Sequence, residues 1–182
     1  MECILHISYR LDFEKWQARG EDKEKVKRRK KNIQDELRKK IGLVVDVPRS
    51  GGSGTSNDGN TARRFFRNSE EVAEIVGIKV DLLRRFHVIL SVLSSTEEIN
   101  PDSLDSYCKE TANLYVEEYP WFNMPQAVHK MLAHSHQVVR AKNLPIGMLS
   151  EEAQEARNKD FKRFREFFTR KTSRIIQYIC SQ

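Results

Sequence analysis

The fold is decided by the stretch Asp81-Leu-Leu-Arg-Arg-Phe-His-Val-Ile-Leu-Ser-Val-Leu93. Its apolar residues recur at the spacing of one face of an α-helix, and they are Leu82, Leu83, Phe86, Ile89, Leu90 and Leu93. A face as apolar as this one has to be buried against other elements. The pattern therefore predicts the central core helix of the protein.

The segments before this helix carry signals for helix starts and stops. Asn68, followed three residues later by Glu71, forms a capping-box-like pair, and Gly77 is a typical helix stop. The first forty residues contain no proline and one glycine, Gly20. We therefore expect them to be helical, with Gly42 ending the helix.

The segments after the central helix are also predicted to be helical. Boundary signals follow in chain order: Asn100-Pro101 as cap and first helical residue, Pro120 as a stop, Pro125 as a start, a break at Leu144-Pro-Ile-Gly147, and Ser150 as the cap of a last long helix to about Phe168. No stretch alternates with the period of two that strands require. The sequence therefore predicts an all-α protein.

Composition divides the chain into three segments. Residues 1–48 form a basic helical N-terminal arm, in which the polar part from Glu21 to Lys40 suits an exposed or partner-facing helix. Residues 49–60 have the composition of a Gly/Ser-rich loop. Residues 61–182 form a helical body that ends in a basic helix bearing Glu155.

The charge of the chain is concentrated in two regions. The 182 residues carry a net charge of +6, and 32% of them are charged. There are 13 basic against 6 acidic side chains from Lys15 to Arg49, and 8 against 2 from Arg157 to Arg174. Such clusters favour a polyanion partner, DNA or RNA, although solvated helix faces explain them equally well.

Some classes of protein are disfavoured by the sequence. No apolar run reaches the roughly 20 residues of a membrane span, so we expect no membrane partner. The N-terminus has no signal-peptide pattern. Cys3, Cys108 and Cys180 are odd in number and far apart, which argues against a disulfide framework. These features indicate a reducing compartment, the cytoplasm or the nucleus.

Two histidines have the spacing of a zinc half-site. His129 and His134 are separated by four residues, which is within the range that zinc sites use for their histidine half. Two ligands hold zinc poorly, because a structural site has four. The alternative is a pair of hydrogen-bonded histidines at or near the surface.

The last helix and the helix after the loop offer charged side chains. Glu155 stands four residues before Lys159, a spacing at which the two side chains form an ordinary ion pair along a helix. The alternative is that Glu155 is one ligand of a divalent cation. A stripe with the spacing of a buried helix face is formed by Phe161, Phe164 and Phe168. The other faces of this helix carry Lys162, Arg163 and Arg165, which are then available for contacts with phosphate. Arg63 and Arg64 at a helix start offer further phosphate contacts, with a solvated helix start as the alternative.

The order of motifs along the chain carries more information than any one of them. They are Gly59-Asn60-x-Ala62-Arg63-Arg64, His129-Lys130-x-Leu132-Ala133-His134, Ile146-Gly147, Ser150-Glu151 and Glu155-x-x-Asn158-Lys159-x-Phe161-Lys-Arg-Phe164-Arg165. This order resembles the C-terminal part of the V(D)J recombinase catalytic subunit and its Transib transposase relatives. The resemblance spans most of the chain, from about Trp16 to Ser173, and is most specific from His129 to Arg165.

The resemblance implies a DDE-type DNA recombinase with an RNase H-like core. In that family two aspartates and a glutamate hold Mg²⁺ or Mn²⁺ for attack on phosphate. Glu155 matches the glutamate and the divalent-cation ligand, His129 and His134 match zinc ligands, and Arg63 with Arg64 matches a basic pair close to the DNA. The chain would then be the C-terminal helical region and final catalytic helix of such a protein.

The chain also departs from the family pattern. The strands that carry the two catalytic aspartates are not predicted, and the Cys-x-x-Cys that completes the zinc site is absent from the sequence. The domain that mediates dimerisation and recognises transposon ends is missing as well. We therefore expect a third of the catalytic triad and half of the zinc site, and no DNA cleavage by this chain alone.

Three functions follow as hypotheses. The first is a recombinase-derived fragment that binds DNA in the nucleus and is inactive alone. The second is an incomplete piece of an active metal-dependent DNA transposase or endonuclease, completed by the rest of a transposase or by a homo-oligomer. The third is a helical protein-interaction module whose lysine-rich helix binds an acidic partner.

Overall fold

The computed structural model describes residues 1–49, 51, 54–142, 145–149, 155, 158–160, 162 and 163. In these ranges the chain forms helices and turns without a strand, so the predicted all-α class is confirmed. Among the described residues seven α-helices precede a 3₁₀ turn at Ile146–Leu149: α1 (Glu2–Ser8), α2 (Asp22–Ile41), α3 (Gly59–Arg67), α4 (Ser69–Val76), α5 (Val80–Ser94), α6 (Pro101–Glu118) and α7 (Gln126–Ala141).

Helix α5 lies at the centre of the described fold. Helices α3, α4 and α6 and the 3₁₀ turn all pack against it. Its inward face buries the predicted residues Leu82, Leu83, Phe86 and Ile89, while Leu90 and Leu93 are half-buried. The prediction of a central core helix is therefore confirmed.

Several helix ends lie where the sequence predicts them. Gly42 and Gly77 adopt left-handed conformations, with φ of 62° and 73°, and end α2 and α4. Asn100 caps α6 by accepting hydrogen bonds from the backbone N–H groups of Asp102 and Ser103 at 3.0 Å. Helix α7 begins directly after Pro125, as predicted.

The predicted capping box at Asn68 is wrong. The Asn68 side chain makes no cap hydrogen bond to α4, and its Nδ2 donates instead to the carbonyl oxygen of Arg64 at 2.8 Å. Because one residue separates α3 from α4, Asn68 is as close to the last turn of α3 as to the first turn of α4. It closes the earlier helix.

The N-terminal forty residues are not one continuous helix, as expected, but two. Turns replace the helix between Tyr9 and Gly20, where Glu14 and Gly20 have φ of 46° and 54°. Helix α1 is mostly buried, and α2 contributes Ile33 and Leu37 to the same hydrophobic cluster. Segment 1–48 therefore shares one core with the helices that follow, and the polar part of α2 lies outside that core.

A polar network fixes the segment that joins α2 to α3. The carboxylate of Asp46 accepts hydrogen bonds from Tyr9 Oη at 2.9 Å and from the Asn57 side chain, and it pairs with Lys30 Nζ at 3.2 Å. Beyond it, Pro48 and Thr55 form an isolated antiparallel bridge. The described residues of the predicted Gly/Ser-rich loop thus form a closed turn anchored on α1 and α2.

The Asp46 network predicts a pH-dependent stability. Burial would raise the pKa of Asp46, but hydrogen bonds from Asn57, Tyr9 and Lys30 outweigh it and hold that pKa below its usual range. A depressed pKa adds stability above about pH 4, which is lost as the pH falls through the folded-state value. We expect Asp46→Asn to lower the free energy of unfolding by about 2 kcal/mol at pH 7, because bonds to a charged group are removed.

Urea unfolding of the wild type and the variant at pH 7 and near pH 3 measures this effect. Asparagine tolerates the left-handed backbone of Asp46, whose φ is 53°, so the variant changes the charge and not the backbone strain. The difference between the two proteins should shrink at the acidic pH. An equal difference at both pH values would contradict the assignment to the carboxylate.

The C-terminal end of the described fold rests on α5. A Cβ on Gly147 would lie less than 3.0 Å from the carbonyl oxygens of Ser94 and Ser95, so the 3₁₀ turn approaches α5 closely at a residue that has to be small. The predicted break before this point is confirmed for Pro145 onward, and Leu144 and the cap Ser150 lie outside the described residues. Among the described helices none is long and apolar enough to cross a bilayer.

Candidate nucleic-acid interface

The outer face of α2 carries an excess of positive charge. Its exposed basic side chains that make no ion pair with a described carboxylate are Lys23, Arg28, Lys31, Arg38 and Lys39. Lys27 and Lys40 pair with Glu24 and Glu36 on the same helix, at 2.8 Å and 3.2 Å. Asp35 is exposed on this face as well, so the excess is positive but not unbroken.

Arg64 joins α3 to the end of α2. Its Nη2 donates to the carbonyl oxygen of Ile41 at 2.9 Å and to that of Gly42 at 3.3 Å. These carbonyls lie at the C-terminus of α2, where the helix macrodipole favours a cation. Since the Gly42 N–H bonds back to the Arg38 carbonyl, Arg64 lies within about one turn of Arg38 and its neighbour Lys39.

Five side chains therefore form one positively charged surface, which we call the basic surface: Arg28, Lys31, Arg38, Lys39 and Arg64. Arg28 to Lys39 spans about 16 Å along the helix at 1.5 Å per residue. Sequence reasoning predicted Arg64 but did not single out Arg38 or Lys39. The signal was present, because residues 28, 31 and 38 recur at spacings of three and seven, which lie near one helix face.

Arg63, the other member of the predicted pair, lies in a different environment. Its Nη1 donates to Asn60 Oδ1 at 3.1 Å. Together with Arg67 and His87 it lines a cavity of about 340 Å³ between α3 and α5. The structure therefore brings Arg64, and not Arg63, to the end of α2.

The two predicted zinc ligands lie close together on α7. The ring centroids of His129 and His134 are 5.4 Å apart, with the rings nearly edge to face, and both residues are exposed. The described residues contain no group of three or more His, Cys, Asp or Glu side chains able to hold a metal ion. His136 turns towards α6 instead, with Nδ1 3.3 Å from Asp105 Oδ1. The described donors therefore do not make up a complete zinc site.

A histidine pair of this kind predicts weak zinc binding. We expect substoichiometric zinc binding in a calorimetric titration. The binding free energy should be far below the roughly 10–16 kcal/mol of structural zinc sites, because two ligands leave half of the coordination shell to water. Replacing His129 and His134 together by alanine should remove the binding, and His87→Ala on α5 serves as the control. One tightly held zinc per chain that survives dialysis against a chelator would contradict this prediction.

The predicted catalytic residue and three of the basic residues predicted near it are exposed. Glu155, Lys159, Lys162 and Arg163 are helical and exposed, whereas Arg165 and the phenylalanine stripe lie outside the described residues. Glu155 belongs to no described cluster of metal-binding side chains. The described residues thus do not make up a two-metal site around Glu155.

No protein-family model matches the chain, and no curated protein matches it.

Proposed function

We propose that this protein binds DNA through sequence-independent contacts between the basic surface and backbone phosphates. The observation that carries the proposal is the hydrogen bonding of Arg64 to the last carbonyls of α2. This contact brings Arg64, an arginine predicted from the sequence to lie close to DNA, near Arg38 and Lys39 on an exposed helix face. Duplex DNA carries a charge about every 1.7 Å along its axis, so a surface about 16 Å long meets several phosphates.

A salt series with a labelled duplex tests the proposal. Fluorescence anisotropy should show a Kd of roughly 1–100 µM near physiological salt, as for other nonspecific binding. The slope of log K against log salt should be about −3 to −4, because four side chains of the basic surface make no ion pair with a described carboxylate and can replace counterions, namely Arg28, Lys31, Arg38 and Lys39. Absence of binding at about 0.05 M salt, or a slope near zero, would refute the proposal.

Competition separates DNA from an acidic protein as the partner. Unlabelled duplexes of unrelated sequence should compete equally, because phosphate contacts carry no sequence information. Polyglutamate at the same concentration of charges should compete more weakly, because it lacks the regular charge density of the duplex. Equal or stronger competition by polyglutamate would favour a protein-interaction module.

We further propose that the chain is a nuclear, recombinase-derived piece of a DDE-type DNA recombinase that does not cleave DNA by itself. Support comes from the order of motifs, and from Glu155 and Lys159, which stand four residues apart and are both helical and exposed. In such a protein Glu155 would need two further carboxylates, from another segment or another chain, to hold Mg²⁺ or Mn²⁺. An active transposase completed by a partner remains the alternative that the same motifs support.

The exposed position of Glu155 predicts the outcome of its replacement. Glu155→Ala should change neither the thermal unfolding midpoint nor the affinity for duplex by a measurable amount, because the described side chain is solvent-exposed. Supercoiled plasmid with Mn²⁺ should stay intact with both the wild type and the variant. Nicking by the wild type that Glu155→Ala abolishes would show instead that the chain holds a complete active site.

A further inference from the structure

A cavity lies apart from the basic surface, between α1, the start of α3 and the segment that leads into α7. Its volume is about 620 Å³, and its wall includes Glu2, Trp16, Asn57, Ala62 and Phe122. Ligand pockets in proteins commonly measure about 300–1,000 Å³. The cavity therefore has the size of a site for a small planar ligand.

One side of the cavity is formed by an aromatic pair. The ring centroids of Trp16 and Phe122 are 4.6 Å apart. The ring of Trp121 meets Phe122 edge-on, with 5.6 Å between the two centroids. Phe122 is buried, whereas Trp16 is 43% exposed. The indole thus has a rigid support and still offers surface to a ligand. Aromatic rings presented in this way stack on nucleobases.

The polar side chains of the wall are mostly acceptors. Glu2 is exposed, and the Asn57 amide holds its Oε1 at 3.3 Å, which orients the carboxylate and leaves Oε2 for a ligand. A carboxylate accepts a hydrogen bond from the exocyclic amino group of cytosine and finds no donor at that position of thymine. At the exocyclic position the carboxylate therefore favours cytosine over thymine.

A cation lies close to one member of the same aromatic pair. The Arg10 guanidinium is 6.0 Å from the centroid of the Phe122 ring, and its Nη1 donates to the His6 carbonyl at 2.7 Å. His6 also lines the cavity. The guanidinium is thus held beside Phe122, and the charged side chains of the cavity wall itself are the carboxylates Glu2 and Asp58.

We propose that this cavity binds an unpaired cytosine of single-stranded DNA, with the base stacked on Trp16 and its amino group bonded to Glu2. The site is distinct from the basic surface, which meets only phosphates. The inference rests on the proposed DNA binding for its biological setting. Its chemistry can be tested independently, because free nucleotides do not need the basic surface.

Tryptophan fluorescence tests the site directly. Deoxycytidine monophosphate should quench the emission with an affinity at least about fivefold higher than that of deoxythymidine monophosphate, which is the lower end of discrimination by one good base contact. Octamers of the two nucleotides should show the same order. Trp121→Phe keeps Trp16, the tryptophan of the cavity wall, and should preserve both the quenching and the preference for deoxycytidine monophosphate.

Two variants divide stacking from base discrimination. Trp16→Ala should remove the quenching and weaken octamer binding at least about fivefold, as expected for the loss of one stacked base, and should leave the affinity for duplex unchanged. Glu2→Gln should bring the two nucleotides to nearly equal affinity. Circular dichroism checks that both variants remain helical, which is expected because both residues are exposed.

The outcomes separate this inference from the proposed function. Equal quenching by the two monophosphates, or none, would overturn the cytosine site even when duplex binding keeps its salt dependence. Conversely, selective quenching by deoxycytidine monophosphate without any duplex binding would support the cavity and refute the basic surface. Quenching that persists unchanged in Trp16→Ala would also overturn the site.

Discussion

Replacing Leu83 with alanine is expected to lower the free energy of unfolding by about 3 kcal/mol, because a fully buried leucine leaves a cavity when it is truncated. Leu83 is 0% exposed and belongs to α5, on which α3, α4, α6 and the 3₁₀ turn converge. Surrounded in this way, the site cannot collapse easily around the missing atoms. For a chain of this size the loss corresponds to a fall in Tm of roughly 6–12 °C.

A matched variant on the same helix controls for the loss of side-chain atoms. Val88→Ala removes apolar atoms from a residue that is 42% exposed, and we expect a change within about 0.5 kcal/mol. Urea unfolding followed by circular dichroism measures both variants. If the two changes are equal, α5 is not the centre of the core.

Local signals predicted the parts of the fold whose causes are local. Three kinds of signal each act over a few residues: Asn100 followed by Pro101, the apolar stripe of α5, and the glycines that end α2 and α4 with positive φ. The break after Ser8 has no such signal, since neither a proline nor a glycine stands before Gly20. The turns that follow are stabilised by the buried face of α1 and by the ion pair of Arg29 with Asp12 at 2.8 Å. The spacing of apolar residues along the chain does not predict these turns.

The candidate sites depend on contacts between residues far apart in sequence, which the sequence does not reveal. Arg64 is close to Arg38 because its guanidinium reaches the end of another helix. Trp16 and Phe122 are in contact although 106 positions separate them in the numbering. The histidine pair was predictable because both residues lie on α7. Whether a third metal ligand exists depends on tertiary packing, and spacing along the chain cannot decide it.

The largest expected effect on binding comes from neutralising the end of α2. Arg38→Gln together with Lys39→Gln should weaken duplex binding about 60-fold near 0.1 M salt and make the salt slope shallower by about 2, because each lost phosphate contact changes the slope by about 0.9. Glutamine has good helix propensity, so α2 should keep its structure. Anisotropy titrations at several salt concentrations give both quantities.

The control pair removes the same charge from another helix, α7, and its C-cap. Lys130 and Lys142 are exposed, are without an ion pair to a described carboxylate, and belong to α7 or its cap. If binding depended on net charge alone, Lys130→Gln with Lys142→Gln would weaken it as much as the change on α2. We expect less than a fifth of the loss in log K, because the phosphates are held at the basic surface and charges outside that contact release few counterions. Equal losses in the two double variants would mean that the positive charge acts diffusely, and that the junction of Arg64 with α2 serves the fold and not DNA.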